Sequence, residues 1–400
     1  MSNFDVVISG AGVAGALTAL ALAAAGLRVA VIERRPPQAS ALATTPADQN
    51  ARVVALAPAS VRVLQRLGQW PLAAGSACPY QQMQVCAEDQ TLTFDAAMIG
   101  DAALGWIVDL AGLQHQLSMA LAQQVTVCSP AEIVDVQNQP AQARVLLDDG
   151  RWLGTRLLVA AEGGRSDLRE RAGIALIERD YHCQALVARL ETEQRNPGIA
   201  FQRFASGGPL ALLPLADGAS SLVWTRPQAH AAALMAAPDA AFIEAVEQAG
   251  GERFGKLLSV HGRAAFGLRM ALAERSVAER LVLIGDSAHV VHPLAGLGLN
   301  LGIWDGAALA EVLTAAQHRG RDLGAATTLA RYAAWRDGDN RIAAHWIDRI
   351  ERSFSGQSGP WSSIARQGLG LVDQSSVLKQ FFALQATGWG GRVPALARRG

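Results

Sequence analysis

The sequence is short of most features that would place it in a special class. Four of its 400 residues are cysteine, at positions 78, 86, 128 and 183, and none forms a CxxC pair. That spacing excludes a thiolate metal knuckle. With no secretory signal at the start, the four read as reduced thiols of a cytoplasmic protein. Net charge is missing as well, since 35 Lys and Arg balance 35 Asp and Glu, so no global field collects nucleic acid or an anionic membrane. Half of the residues are apolar, yet no run reaches the length of a membrane-crossing helix. The Ala-rich stretch from Ala14 to Ala25 is too short and follows a polar Met1-Ser2-Asn3 start. Aromatic residues are scarce, and there is no internal repeat and no low-complexity tract. What remains is a long, apolar chain rich in Ala and Gly, large enough for two or three domains and of a composition associated with GC-rich bacterial genomes.

The order of its segments is informative. Phe4 to Ser9 is a short β-branched run of the kind that forms a buried parallel strand. A glycine turn follows, then an Ala/Leu helix closed by Gly26, then a second strand from Arg28 to Glu33. Gly10, Gly12 and Gly15 form GxGxxG between that strand and that helix. Gly10 permits the tight turn, Gly12 lets backbone approach a pyrophosphate, and Gly15 lets helix and strand pack closely. The helix N-terminus offers N–H groups and partial positive charge to phosphates. Glu33 ends the second strand, where a carboxylate accepts both hydroxyls of an adenosine ribose and repels a 2′-phosphate. FAD or NAD therefore fits better than NADP. Ala14 and Arg34, beside this turn and strand, join the candidate set for binding the cofactor.

Later segments predict a helix from Pro58 to Leu67, a helix from Leu110 to Gln123, and two strands, Arg144 to Leu147 and Trp152 to Ala160, joined as a hairpin around Asp149-Gly150. From about 175 to 268 strands dominate, with one helix near Ala240 to Ala249. Leu281 to Ile284 is another buried strand. A glycine-rich turn and two long helices follow. The nucleotide signals lie at both ends of this order, with a β-rich block between them, so one domain is interrupted by another.

The run Gly285-Asp286-Ser287-Ala288-His289, continued by Pro293, Gly296, Gly298, Asn300, Gly302 and Asp305, resembles the second FAD motif of the FAD-dependent aromatic-ring hydroxylases. The string from His292 to Asp305 is most similar to their ubiquinone-biosynthesis branch. Arg52, Ala55-Leu56 and Leu67-Gly68 match the early helix region of that family, and Ala161-Glu162-Gly163, Ser166 and Arg169 match its middle motif. The tail from Gly368-Leu369 through Leu378-Lys379, Gly388 and Pro394 also looks like that branch. Asp286 stands where ribityl hydroxyls need an acceptor. The backbone around Gly296, Leu297 and Gly298 can approach a flavin ring, and a helix starting near Leu299 would turn its positive end toward the ring. Asn300 is expected to cap that helix or to hydrogen-bond the ring. His289 and His292 make an HxxH pair, but no third ligand lies nearby and no metal is expected.

The resemblance implies an α/β fold, with a glutathione-reductase-like FAD-binding domain, an inserted and mostly antiparallel substrate sheet, and a helical C-terminal tail. The expected division is 1–175 with 268–350 for FAD, including a short excursion near 76–100, then 176–267 for substrate and 351–400 for the tail. It also implies a monooxygenase using FAD, transient NAD(P)H and O2, in which oxygen added at flavin C4a passes to an electron-rich ring. The expected substrate is a hydrophobic aromatic compound, a polyprenyl phenol or quinol, and the expected partners are a biosynthetic protein complex and, by peripheral contact, the inner membrane. The cofactor carries the chemistry, so no catalytic base is assigned; Arg52 and His292 are the candidates nearest the reaction. Segments Phe201 to Phe204, Leu210 to Leu215 and Val223 to Trp224 are candidate cavity walls. Leu371, Val377, Leu378, Phe381, Phe382 and Leu384 form an apolar stretch that would dock a membrane or the FAD domain. Two positions depart from the family. Glu162 replaces its Asp and Leu297 replaces its Gln, which leaves nicotinamide handling open. A hydroxylase of a soluble aromatic compound and a non-catalytic flavin-fold subunit remain alternatives.

Overall fold

A computed structural model describes residues 2–36, 52–87, 90–205, 207–251, 253–292, 296–354, 380, 384 and 387–399. The opening strand, Ser2–Ser9, runs parallel to Val29–Ile32 on one side and to Trp152–Ala160 on the other. Thr126–Cys128 and Leu281–Leu283 extend the parallel set at its two sides. These strands read as continuous apolar runs because both faces are covered, and Val6, Val7, Ile8 and Val31 have no exposed surface. Ile133–Asn138 and Ala143–Leu147 form an antiparallel excursion on Trp152–Ala160, and Gly150 takes the positive φ that the Asp149-Gly150 turn requires.

Helix Val13–Ala24 leaves the first glycine turn, and the 22-residue helix Leu297–His318 packs against it. Their approach depends on missing side chains. A Cβ on Gly306 would stand 2.1 Å from Thr18 Oγ1, and one on Gly302 would stand 3.0 Å from Gly285 Cα and 3.3 Å from Ala14 Cβ. Ala14 is thus a contact between the helices as well as a member of the turn. The helix Ala326–Phe354 lies against Leu297–His318.

The inserted block supplies five strands of a separate eight-stranded sheet, ordered His289–Val290, Leu257–Ala273, Leu176–Thr192, Ser220–Pro227, Gly208–Pro214, Ile199–Ala205, Gln82–Ala87 and Gln90–Asp95. The segment near 76–100 therefore contributes two strands to this sheet. A small third sheet pairs Val53–Leu56, Gly105–Asp109 and Ala77–Tyr80. One helix was expected in the insert and two form, Gln228–Ala236 and Asp239–Gly250. The first escapes a periodicity reading because it buries only Ala231.

The described part of the tail packs on the helices. Thr387 O accepts the Ala59 N–H, Trp335 Nε1 donates to Arg392 O, and Ala397 is fully buried. Of the apolar stretch expected to dock a membrane or the FAD domain, Leu384 packs against Ala96, Ile99 and Leu104. Leu371, Val377, Leu378, Phe381 and Phe382 lie outside the described residues. No helix among the described residues is long and apolar enough to cross a membrane.

The Gly306 contact gives a direct test. Gly306→Ala should destabilise the protein by about 1–3 kcal/mol through overpacking against Thr18, and Thr18→Ala in the same chain should recover most of that loss. Urea unfolding of the four chains of the cycle measures it, and purely additive effects would contradict the contact.

Candidate cofactor and substrate cleft

The first glycine turn is built by exclusion. A Cβ on Gly10 would lie 2.2 Å from Ala161 O, and one on Gly15 would lie 2.1 Å from Gly10 O, so both positions are sealed by backbone. At Gly12 the same construction meets nothing within 4 Å. The turn is closed below and open above, the shape needed where a pyrophosphate meets a helix N-terminus. Glu33 is held in place by accepting from Ala11 N–H at 2.7 Å and Arg35 N–H at 2.9 Å. Arg34 is exposed on the rim, 3.6 Å from Glu132.

The second turn enters from Leu281–Leu283. Gly285 adopts φ 57 and is buried, while Asp286 is solvent-accessible but ringed by protein. A carboxylate on the floor of a cleft has that combination. Desolvation raises the Asp286 carboxyl above its ordinary range, opposed by the nearby positive charges of His289, Arg52 and Arg269. Arg52 lies with its guanidinium 5.4 Å from the centre of the Phe266 ring. Arg269 pairs with Glu178 at 2.6 Å and donates to Gly164 O at 3.2 Å. Asp286, Arg52 and Arg269 thus converge where the two glycine turns meet the large sheet.

Asn300 has a different role from the one expected. It is 1% exposed, and its Oδ1 accepts from Ala57 N–H at 2.8 Å and Ser60 Oγ at 2.7 Å, while its Nδ2 donates to Ala55 O at 2.8 Å and Gly296 O at 2.7 Å. All four hydrogen-bonding positions of the amide are spent, so nothing is left for a ring. Asn300 clamps the Val53–Leu56 strand and the following helix to the glycine turn. Gly296, at φ 59 and with its Cβ position 2.8 Å from Ala55 Cβ, is the N-cap of a helix that starts at Leu297, two residues earlier than expected. At Gly298 an added Cβ would make only an ordinary 3.5 Å contact with Val291. Leu297 and Leu299 are half-buried against the core. Pro293 lies outside the described residues.

Glu162 is equally committed. Its carboxylate accepts from Ser9 Oγ at 2.7 Å, Ser166 Oγ at 2.5 Å and Leu168 N–H at 3.1 Å. Its own N–H donates to Ser287 Oγ, which in turn donates to Gly163 O. The side chain thus anchors the first strand to the short helix Asp167–Arg171, and the backbone of Glu162 and Gly163 ties both to the second turn.

Beneath the second turn lies a charge cluster that the sequence reading missed. Asp305 is fully buried. Its Oδ2 accepts from Gly285 N–H at 3.1 Å and pairs with His289 Nε2 at 2.5 Å, and its Oδ1 accepts from Arg336 Nε at 2.8 Å and Asn340 Nδ2 at 2.9 Å. Burial alone would raise this carboxyl, but the charges and hydrogen bonds of His289 and Arg336 hold it well below the usual range. His292 sits apart from His289. Its ring is 1% exposed and packs edge-on against Tyr181 at 5.1 Å, and Tyr181 OH donates to Asp348, which Arg179 also binds. Burial lowers His292 to about 4 against the opposing pull of Asp348, so the ring is neutral at neutral pH and shut off from solvent. These two histidines serve different clusters.

The candidate wall segments split by alternation. Phe201, Leu210, Leu212 and Trp224 turn away from the cleft into a core shared with the helices Gln228–Ala236 and Asp239–Gly250. Their neighbours Ala200, Gln202, Ala211, Leu213 and Val223 take the other face.

Comparison with known proteins agrees with this geometry. A family model described as FAD binding domain matches residues 3–337. The chain belongs to this FAD-binding family. Within it, the chain is 34% identical over 387 residues to the ubiquinone hydroxylase UbiL of Rhodospirillum rubrum, covering 96% of this chain and 89% of that protein. It is 30% identical over 380 residues to the 3-demethoxyubiquinol 3-hydroxylase of Escherichia coli, covering 94% and 96%. In fold it is similar to the crystal structure of PqsL, a probable FAD-dependent monooxygenase from Pseudomonas aeruginosa, with TM-score 0.76 at 23% identity over 94% of this chain and 100% of that one. The protein is thus an FAD-dependent monooxygenase of the aromatic-hydroxylase family, in the branch containing the ubiquinone hydroxylases. The open Gly12 position and the enclosed, accessible Asp286 carboxylate fit an FAD laid across both turns.

Two outcomes follow from the buried groups. The unfolded chain protonates His292 near 6.5 and the native chain only near 4, so stability falls as pH drops through that window, by up to about 3 kcal/mol from this group. His292→Phe should therefore show a shallower loss between pH 7 and pH 5 in urea unfolding; an unchanged slope would rule this out. Asp305→Asn leaves the buried Arg336 with only the partly exposed Asp339, 3.2 Å away, as counter-charge and should cost up to about 3–5 kcal/mol, read as a fall in the midpoint of thermal or urea unfolding.

Proposed function

We propose that this monooxygenase hydroxylates the aromatic ring of a polyprenyl phenol or quinol in ubiquinone biosynthesis, with NAD(P)H as reductant. The observation that carries the reading is the cleft itself, where an accessible but enclosed carboxylate, a guanidinium and an exposed aromatic ring meet at the junction of the two glycine turns and the large sheet. Its relatives' names supply the substrate class. Gly10, Gly12 and Gly15 would admit the pyrophosphate, Glu33 would bind the adenosine ribose, and Asp286 would accept from the ribityl hydroxyls. The backbone from Gly296 to Leu299 would line the ring edge at the N-terminus of a helix 22 residues long. FAD bound there would supply the redox chemistry, taking two electrons from the nicotinamide and passing them to dioxygen.

The chain's own part is positional and electrostatic. Glu162 ties the first strand to the helix Asp167–Arg171 through its carboxylate and reaches the second turn through its backbone N–H to Ser287, which would hold the two turns in fixed relation. No second GxGxxG occurs, so the nicotinamide would dock transiently in the same cleft. A polyprenyl tail must leave the cleft toward a membrane or carrier, which agrees with a peripheral rather than an integral protein.

Anaerobic mixing of the FAD-loaded protein with NADH and with NADPH tests the reading. Flavin absorbance should bleach with one of them, faster when a phenol is present. Substrate-stimulated nicotinamide oxidation in air should be greater with long-tailed than with short, soluble phenols. Equal or better stimulation by soluble phenols would move the substrate class to small aromatics. No bleaching under any of these conditions would overturn the reading.

A further inference from the structure

We propose that Phe266, together with Arg52, is the platform that selects the substrate's aromatic head, with the ring stacking on Phe266 and its oxygen substituent met by the Arg52 guanidinium. The inference rests on the function proposed above; Arg52 already stands among the residues that resemble the family, whereas Phe266 belongs to none of the cofactor motifs. Phe266 lies on Leu257–Ala273, the strand of the large sheet that pairs directly with His289–Val290 from the second glycine turn. Its neighbour Ala265 packs into the core beneath the sheet, and its cross-strand partner is Ala185, beside Leu186 in that same core. Since successive residues of a strand face opposite ways, Phe266 points to the other side of the sheet.

A large apolar ring that is 41% exposed contrasts with Leu268, two residues on along the same face, which is 7% exposed. Its surroundings identify what would cover it. Arg52 stands 5.4 Å from the ring centre and near enough to Asp286 for its charge to act on that carboxyl. The exposed ring is therefore linked through one side chain to the floor of the cofactor cleft. A greasy surface alone would accept any apolar body. A ring with a guanidinium held loosely over it favours a flat, electron-rich ring carrying an oxygen, through stacking and a hydrogen bond donated by Arg52 once it shifts aside. Cation–π attraction to Phe266 keeps Arg52 over the platform at modest strength, so the guanidinium can shift to meet that oxygen.

The test uses the full-length FAD-loaded protein and two probes, a 2-alkylphenol and the matching alkylbenzene, with binding followed by perturbation of the flavin visible spectrum. Phe266→Leu keeps apolar bulk but loses the ring face. It should weaken phenol binding roughly three- to tenfold, while the dissociation constant for FAD, from flavin-fluorescence titration of the apoprotein, changes by less than about twofold. Arg52→Gln should erase most of the preference for the phenol over the alkylbenzene. Loss of FAD affinity in Phe266→Leu with unchanged phenol binding would overturn the proposal and make Phe266 a cofactor contact. Unchanged binding of both in that variant would equally overturn it. A wild-type protein that binds FAD but neither probe would instead overturn the proposed substrate class, and this platform with it.

Discussion

The buried carboxylate of Asp305 is the interaction on which the rest of the site depends. A single charged side chain with no exposed surface would be costly by itself. It is tolerated because both of its oxygens are occupied, one by Gly285 N–H and His289, the other by Arg336 and Asn340. Those partners come from three parts of the chain: the second glycine turn, the strand that follows it and the helix Ala326–Phe354. The position of the Gly285-Asp286 turn is therefore set by a helix whose sequence contains no cofactor motif. Removing one partner leaves buried charge behind, which couples the folding of that helix to the order of the cofactor turn.

The same logic, in which polar groups are fully spent on the protein, recurs at Asn300 and Glu162. Both lie in motifs that suggest contact with a cofactor, and both direct their hydrogen bonds to other parts of the chain. They hold the walls of the cleft at fixed separations. Among the described residues, groups left accessible there include the open side of Gly12, the Asp286 carboxylate, Arg269 and the Arg52–Phe266 pair.

Much of the fold was legible because its signals are local. The first strand, glycine turn and helix are one short stretch, and the sterics that make Gly10 and Gly15 necessary come from immediate backbone neighbours and one adjoining strand. The Asp149-Gly150 hairpin and the long helices follow from spacing alone. Asn300 was found as a site residue but given the wrong partners, since Ala55, Ala57 and Ser60 are more than 200 positions away in sequence. Arg336 and Asn340 were missed, although a signal was present. Tyr332, Arg336, Asn340 and Ala344 recur every fourth residue and all are buried, so the stripe that packs inward carries a cation and an amide. A charged residue on such a stripe implies a buried counter-charge elsewhere. The candidate wall segments do lie in the large sheet, but segment-level reading cannot separate Phe201 from Gln202, whose side chains point to opposite faces.

The pairing of His289–Val290 with Ala271 and Leu272 has a consequence for how such a protein can diversify. The strand that carries the substrate platform is joined by main-chain hydrogen bonds to the turn that carries Asp286, so the spacing between them does not depend on which side chains stand in the cleft. Substitutions at accessible positions on that strand can change what enters without shifting the cleft's registration with its redox partner. One chemistry can thus be re-addressed to new molecules by changing its surface alone.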